Sequence, residues 1–544
     1  MATETKAMRA QRKAGGVFYT PEHIVEFVVS ETLDPLFGQC LLEKATTFKV
    51  VDPSCGAGAF LLAGYEYLLN WHLQRYLQSE EDVKRRVLER AAHQWRLSLV
   101  ERQRILLSSI FGVDIDASAA EMARKNLLGA MLSGHDSSTD IEQDTLARLS
   151  LNIRCGDSII SRKKNSFDWR RVMQPLAGSG FNAVIGNPPY GARLTTFEKK
   201  YILENYRCGM SDTAAAFVER GVECLAPDGR LGFVVPKAFL YASNWARLRE
   251  RHLQRIDSVT DLGKGWRDVK LEQCAVVLSK RNAASTYACF IRREHEFLEI
   301  GSISKTLAED FGFILHSVSA GELKLAQRLR SECESLSGRC VNQRGAMLQK
   351  LIRKRGDAIA VGGRQIQRWK VQPMPTRCLD SQKIRDEKAR VSRNSVLVQN
   401  IVAHIEHPVD HIKITAAVAP EESRHLRLLD TVNQLRCRNA EDARLICALL
   451  NSKLMNWYAY RFVFGKAVRT MHFDATATDR LPLPKQNGRN SKISEQISDI
   501  VLRLQSLNEK GAGLTALESQ LNDLVFELYG LSPDERATVN CAMP

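Results

Sequence analysis

The sequence predicts an α/β first half, a parallel sheet with helices between its strands, followed by a basic second half of mixed α and β structure. Short β-branched runs alternate with helical spacings up to about residue 281, which is the rhythm of a parallel sheet. Glycine turns and single acids directly follow several of those runs, where the carboxyl ends of parallel strands converge on one crevice. Beyond residue 281 the rhythm weakens, and residues 338–400 hold 15 Lys and Arg against 4 Asp and Glu.

In chain order, Gly16-Val17-Phe18-Tyr19-Thr20-Pro21 precedes a helix that Thr20 can cap, with Pro21 in its first turn and Ile24, Phe27 and Val28 on one apolar face. Strands are expected at 48–52, 110–114, 151–154, 181–185 and 230–235. Between the first two lies a long helical stretch, 65–108, read as a helical insertion around the charged run Glu80, Glu81, Asp82, Lys84, Arg85 and Arg86. Further on, 442–463 reads as helix, Leu481-Pro482-Leu483-Pro484 closes a loop, and 485–492 reads as a polar linker. A last helical stretch, 493–528, places Ile497, Ile500, Val501, Leu504 and Leu507 at helical spacing. The resulting boundaries are 1–285 for the sheet domain, 286–484 for the basic domain and 493–544 for a C-terminal helical segment.

A chain of 544 residues can bury two or three cores. The formal net charge of +15 favours a polyanionic partner, because each cation set against a phosphate releases a counterion. Charge alone does not separate DNA from RNA or an anionic membrane. The 13 cysteines include no Cys-x-x-Cys pair and no Cys/His cluster at ligand spacing, so neither a metal site nor a disulfide framework is expected. No run of about 20 apolar residues occurs, and the polar, basic N-terminus lacks a signal-type apolar segment. A soluble protein of a reducing cytoplasm is the expectation.

Val50-Val51-Asp52-Pro53-Ser54-Cys55-Gly56-Ala57-Gly58-Ala59-Phe60 reads as a buried strand, a tight glycine turn and a helix start. Glycines there let a ligand approach the backbone and face the helix N–H groups. A simple strand-to-helix turn has the same pattern. Asp114 after Ile110-Phe111-Gly112-Val113, and Asp157 after Ile153-Arg154-Cys155-Gly156, fall at the ends of the next two strands. The first suits the two O–H donors of a ribose diol and the second an adenine amino group. Either acid could instead cap a helix, the role expected of Asp116.

Val184-Ile185-Gly186-Asn187-Pro188-Pro189-Tyr190 ends the fourth strand with an Asn and two prolines, which fix the backbone and remove two N–H donors. Two acceptors, the Asn187 side-chain oxygen and the Pro188 carbonyl, can bind both protons of an amino group whose lone pair is delocalised into an aromatic ring. Pulling on both pushes the nitrogen towards tetrahedral geometry and localises the lone pair for attack on a methyl donor. Tyr190 offers a stacking face, and no general base is required before transfer. A rigid Pro-Pro turn is the plainer reading of the motif alone.

The order Phe18-Tyr19-Thr20-Pro21, Asp52-Pro53-Ser54-Cys55-Gly56-Ala57-Gly58, Asp114 and Asn187-Pro188-Pro189-Tyr190 resembles the gamma class of DNA amino-methyltransferases over about the first half of the chain. The resemblance implies a Rossmann-like, S-adenosylmethionine-dependent methyltransferase domain followed by an α+β target-recognition domain. It implies an adenine-N6 methyltransferase of restriction-modification type, with Asn187, Pro188, Pro189 and Tyr190 as the catalytic motif. Tyr19, Thr20, Asp52, Gly56, Asp114, Ile115 and Asp157 match the cofactor positions of that class. The class also sandwiches the flipped base against a second aromatic residue, and Trp266 in Asp261-Leu262-Gly263-Lys264-Gly265-Trp266 is the match, although Phe is usual there and a structural Trp has the same appearance.

Extruding a base costs a few kcal/mol, which the grip on the duplex must offset. Gly362-Gly363-Arg364-Gln365-Ile366-Gln367-Arg368-Trp369 and Leu449-Leu450-Asn451-Ser452-Lys453-Leu454 resemble target-recognition domains of adenine methyltransferases. Arg364, Arg368, Lys370, Arg390 and Arg393 are the candidate contacts to double-stranded DNA, most such cations setting phosphate register rather than reading bases. No Asp…Glu-x-Lys nuclease site stands out, so any restriction endonuclease is expected to be a separate partner. Methylation of an RNA base or a protein glutamine, and a non-catalytic DNA-binding subunit, are the competing readings.

Overall fold

The computed structural model describes residues 20–38, 40–91, 94–136, 139–161, 167–168, 180–263, 271–281, 284–469, 471–485, 488–507 and 512–544. They form two compact units, Met1–Ser317 and Val318–Pro544.

The first unit is built on one nine-stranded sheet. In chain order it contains α1 (Glu22–Phe37), β1 (Val50–Asp52), α2 (Ala59–Leu77), α3 (Leu99–Ser109), β2 (Ile110–Asp114), α4 (Ala117–Leu132), α5 (Thr139–Asn152), β3 (Ile153–Cys155), β4 (Phe181–Gly186), α6 (Thr213–Cys224), β5 (Leu225–Pro236), β6 (Ile256–Asp261), β7 (Gln273–Ser279), β8 (Thr286–Arg293) and β9 (Glu296–Ser304). The strand order is β9-β8-β6-β7-β5-β4-β1-β2-β3. Pairs β3/β2, β2/β1, β1/β4 and β4/β5 are parallel, while β7 runs antiparallel between β5 and β6. Chain order reverses between β1 and β4, so the ends of β1, β2, β3 and β4 share one edge at the switch point of the sheet.

Val50, Ile110, Ile153, Ala183 and Ile185 bury the sheet against Ile24, Val28, Leu61, Tyr65, Leu106, Ala123 and Leu127 from the helices. Each aliphatic side chain fully buried there contributes about 1.5–3 kcal/mol. The apolar face expected for α1 is this one, with Phe27 stacked on Phe297 at 3.8 Å between ring centroids. Asp116 caps α4 by accepting from the Ser118 N–H at 2.9 Å, as expected. Thr20 does not cap α1: no side chain caps that helix, and the Pro21 carbonyl accepts the Ile24 and Val25 N–H groups.

In the first unit two boundaries differ from the sequence expectation. The stretch 65–108 is not helical throughout, because Leu88–Ala91 and Gln94–Leu97 form a hairpin. Leu88 and Leu97 face the core as cross-strand partners, Glu89 pairs with Arg96 at 2.6 Å, and the Arg90 guanidinium lies 4.9 Å from the Trp95 ring centre. Alternation over four residues is too short to stand out against flanking helical spacing. The first unit also continues past residue 285, since β8 joins β6 in parallel and β9 closes the sheet edge. The composition changes before the sheet ends.

The second unit contains α7 (Ala320–Glu332), β10 (Cys340–Arg344), β11 (Ala358–Val361), β12 (Cys378–Leu379), β13 (Ser395–Gln399), β14 (Ala416–Val418), β15 (Leu426–Leu428), β16 (Val432–Cys437), α8 (Ala440–Asn451), α9 (Lys453–Phe462), α10 (Gly488–Ser506), α11 (Ala512–Leu528) and α12 (Pro533–Ala542). An antiparallel sheet has the order β10-β16-β13-β14, and a smaller one the order β12-β11-β15. Helices α10, α11 and α12 pack on α8 and α9, so the C-terminal segment is part of this unit and not a separate one. Ile497, Ile500, Val501 and Leu504 form the buried face of α10, whose start at Gly488 lies inside the stretch expected to be linker. Among the described residues no helix is long and apolar enough to cross a membrane.

Candidate active site

The polar groups singled out in the first unit converge on the edge where β1, β2, β3 and β4 end. The Asp114 carboxylate accepts from the Gly56 N–H at 2.8 Å and from the Asp116 N–H at 2.9 Å, joining the glycine turn after β1 to the end of β2. Gly56 has a φ of +53° and no atom within 4 Å of the place a Cβ would take, so its turn forms an open cradle. Ile115 beside it is 69% exposed, an aliphatic surface free for an aromatic ligand. Asp157 accepts from the Ile159 and Ile160 N–H groups, both at 3.0 Å, which holds its loop at the end of β3.

Asp52, 2% exposed, accepts from the Ser54 N–H at 2.9 Å. Burial, reinforced by the nearby Asp114 charge, pushes its carboxyl up to about 8. Asp114 is raised too, again chiefly by burial. Two raised acids, with no compensating cation among the described residues, favour a cationic ligand, which would draw both back towards ionisation. Glycine is required at position 186 because φ is +155° and a Cβ would lie 2.7 Å from Asp52 Oδ1.

Asn187 follows Gly186 directly. Its side-chain nitrogen donates to Thr20 Oγ1 at 2.8 Å, while its Oδ1 is buried with no hydrogen-bond partner among the described residues. Such an unpaired buried acceptor costs roughly 1–3 kcal/mol. Two residues that sequence reasoning missed hold the motif from behind. The Thr213 hydroxyl donates to the Pro189 carbonyl at 2.5 Å, and Asp212 accepts from the Gly191 N–H while capping α6 through the Ala214 N–H. Their only signal in the sequence is Asp-Thr ahead of an alanine run, which reads as a helix cap. Tyr190 is 3% exposed, so its ring is closed over, and burial raises its hydroxyl pKa. Tyr19 and Trp266 lie outside the described residues.

In the second unit the cation candidates divide. Arg368 is not a free surface cation: it donates to the Asn451 carbonyl at 2.8 Å and pairs with Glu518 at 3.3 Å. Trp369, with a φ of +72°, is buried and donates from Nε1 to Glu518 at 2.8 Å. Lys370 bonds the Leu507 carbonyl. The segment therefore docks the C-terminal helices, a role the sequence does not reveal because Glu518 is far along the chain. Arg364 and Arg393 are exposed, and Arg390, also exposed, pairs with Glu387 at 3.3 Å.

A reversing parallel sheet places a glycine cradle, strand-end acids and Asn-Pro-Pro-Tyr on one edge, which defines the class by its fold, an α/β methyltransferase fold. More particularly, residues 108–265 match the family model described as Eco57I restriction-modification methylase. The chain is 26% identical over 319 residues to the type II restriction enzyme and methyltransferase RM.Eco57I of Escherichia coli, covering 55% of this chain and 30% of that protein. It is 27% identical over 203 residues to the adenine-specific methyltransferase PglX of Streptomyces coelicolor, covering 33% of this chain and 15% of that one. It thus spans less than a third of the length of either relative. The fold is also that of the type IIL restriction-modification enzyme MmeI, solved in complex with DNA, with a TM-score of 0.59, 14% identity, and coverage of 99% of this chain and 77% of that one.

Proposed function

We propose that this chain is a site-specific DNA adenine methyltransferase that uses S-adenosylmethionine and serves a restriction-modification or related defence system. The observation that carries the reading is the buried Oδ1 of Asn187, unpartnered among the described residues and followed by two prolines that offer no N–H. An exocyclic amino group is the partner that this acceptor lacks.

The donor fits the residues present. Asp114 would take the ribose diol, Gly56 gives the backbone room, Ile115 would face the adenine ring, and buried Asp52 with half-buried Asp114 favours a cation. S-adenosylmethionine supplies, when bound, an electrophilic methyl group. The chain's own contribution is to hold the amino nitrogen, with Asn187 Oδ1 and the Pro188 carbonyl accepting its two N–H groups so that its lone pair is localised for transfer. No residue is needed to remove a proton first, because the proton leaves once the nitrogen has become cationic. Tyr190 is enclosed, so stacking the base on its ring requires the surrounding side chains to move apart as the base enters. Trp266 is the proposed opposite face. Arg364, Arg390 and Arg393 are the exposed cations proposed to touch the duplex, and a separate endonuclease is the proposed partner.

The test is transfer of radiolabelled methyl from S-adenosylmethionine to duplex DNA, with nucleoside analysis of the product. N6-methyladenine is expected, and about 10²–10³-fold less of it from Asn187→Ala. Label in RNA or protein but not in DNA would overturn the reading, as would DNA binding without transfer.

A further inference from the structure

Thr20 carries an inference that the sequence resemblance does not contain. The resemblance places it against the cofactor, and its position before α1 suggests a cap that it does not provide; its hydroxyl, on a residue 5% exposed, accepts from Asn187 Nδ2 at 2.8 Å. We propose that Thr20 is the positioning residue for the Asn187 amide. A hydroxyl can meet either end of an amide, but an amino group bound on the far side selects the orientation, since only Oδ1 can accept from it. Nδ2 must then face Thr20, and the Thr20 oxygen satisfies it. The contact fixes the side chain at the angle that points Oδ1 at the substrate. It joins residues 167 positions apart, so only the folded chain creates it.

This inference rests on the proposed activity and is tested by the isosteric Thr20→Val and the hydroxyl-retaining Thr20→Ser. For Thr20→Val, kcat should fall about tenfold, the value of one hydrogen bond lost in the transition state, while the calorimetric Kd for S-adenosylmethionine stays within about twofold. Thr20→Ser should restore kcat. A Kd that weakens with kcat unchanged would make Thr20 a cofactor contact and overturn the proposal, as would no change in either quantity. If the wild-type chain transfers no methyl group, the proposed activity fails separately. The positioning contact is then judged by the Asn187 side-chain amide signal in 15N NMR, which should move in Thr20→Val and return in Thr20→Ser; a signal indifferent to both overturns it.

A second, independent observation lies in the other unit, in the loop between β10 and β11. Ala346, Leu348 and Ile352 pack into a small core with Ala358, Ala360 and Leu429, and Arg344 and Gln349 both bond Asp430. This fastening leaves Met347 84% exposed beside the exposed Lys350, Arg353, Lys354 and Arg355. None of those four cations makes a side-chain hydrogen bond or ion pair among the described residues. We infer that this loop is the principal duplex-DNA contact of the second unit, its cations on phosphates and Met347 against base edges. Cations left unpaired on a fastened loop suit a polyanion, and an apolar tip among them suits a groove. The inference also depends on DNA being the substrate.

The test replaces all four cations with Gln and measures binding of a randomised 30-bp duplex pool by anisotropy across salt concentrations. Each lost phosphate contact lowers the slope of log K against log salt by about 0.9, so a loss of roughly 2–4 units is expected. Met347→Ala should keep that slope and flatten the sequence preference recovered from the pool. An unchanged slope in the folded quadruple variant overturns the loop assignment, as does weakened binding of RNA with DNA binding intact. A wild-type chain that methylates DNA alongside an unchanged slope leaves the activity standing and removes only the loop.

Discussion

Asn187 and Arg368 are both polar residues in segments that the sequence singles out, and the fold uses them in opposite ways. Asn187 is held through Nδ2 and keeps its buried Oδ1 without a partner among the described residues. Arg368 has both terminal guanidinium nitrogens engaged, one by the Asn451 carbonyl and one by Glu518, with only its Nε unpaired among the described residues. A buried acceptor left open at the edge where the strand-end acids lie is a place for a ligand, because the unsatisfied group stays costly until something binds it. A half-buried cation whose charged end is taken up by a carbonyl and a carboxylate has become part of the packing. Resemblance at the level of sequence does not separate the two cases, since both residue types occur in such motifs.

The largest effect that would break this comparison is at Asn187. Asn187→Ala should lower methyl transfer by about 10²–10³, the range for removing one group that stabilises developing charge, while the melting temperature holds or rises because an unpaired buried acceptor has gone. A lowered melting temperature with transfer intact would make Asn187 structural. Arg368→Ala should do the reverse. It should destabilise the second unit by about 1–3 kcal/mol in chemical denaturation and leave the salt dependence of DNA binding unchanged. A shallower salt slope in a fully folded Arg368→Ala variant would return that residue to the DNA interface.

The smallest effect sharpens the cofactor side. Asp52 titrates at about 8 in the folded chain and near 3.8 otherwise. A raised carboxyl binds its proton more tightly when folded, so its contribution to stability is fully present below about pH 4 and is lost as pH rises towards 8. Asp52→Asn cannot ionise, and its melting temperature should therefore gain on the wild type between pH 6 and pH 9. A cationic ligand favours the ionised acid, so S-adenosylmethionine should bind wild type more tightly at pH 9 than at pH 6. Parallel melting curves for the two proteins across that range would show that Asp52 does not titrate there.

Much of the first unit was legible before folding because its signals are local. A buried strand is a run of β-branched residues, a glycine turn is a backbone requirement, and an acid at a strand end is placed by the strand itself. The strands around Val50, Ile110, Ile153 and Ala183 fall where those runs are, and Asp116 caps the helix that follows it. The hairpin at Leu88–Ala91 was hidden because its alternation is too short to outweigh the helical spacing around it. The second unit was less legible, its short strands being paired across long separations, as Val341 is with Arg436.

By itself the sequence determined the order of the strands' chemistry, the Asn-Pro-Pro-Tyr acceptor set and the concentration of positive charge in one stretch, all properties of neighbouring residues. Only the tertiary structure decided that Thr20 serves Asn187 and not a helix end, that Glu518 takes up Arg368 and Trp369, and that β8 and β9 belong to the first sheet. A hydrogen-bonding group accepts whichever partner the fold brings within about 3 Å, and which partner arrives depends on packing between segments far apart in the chain.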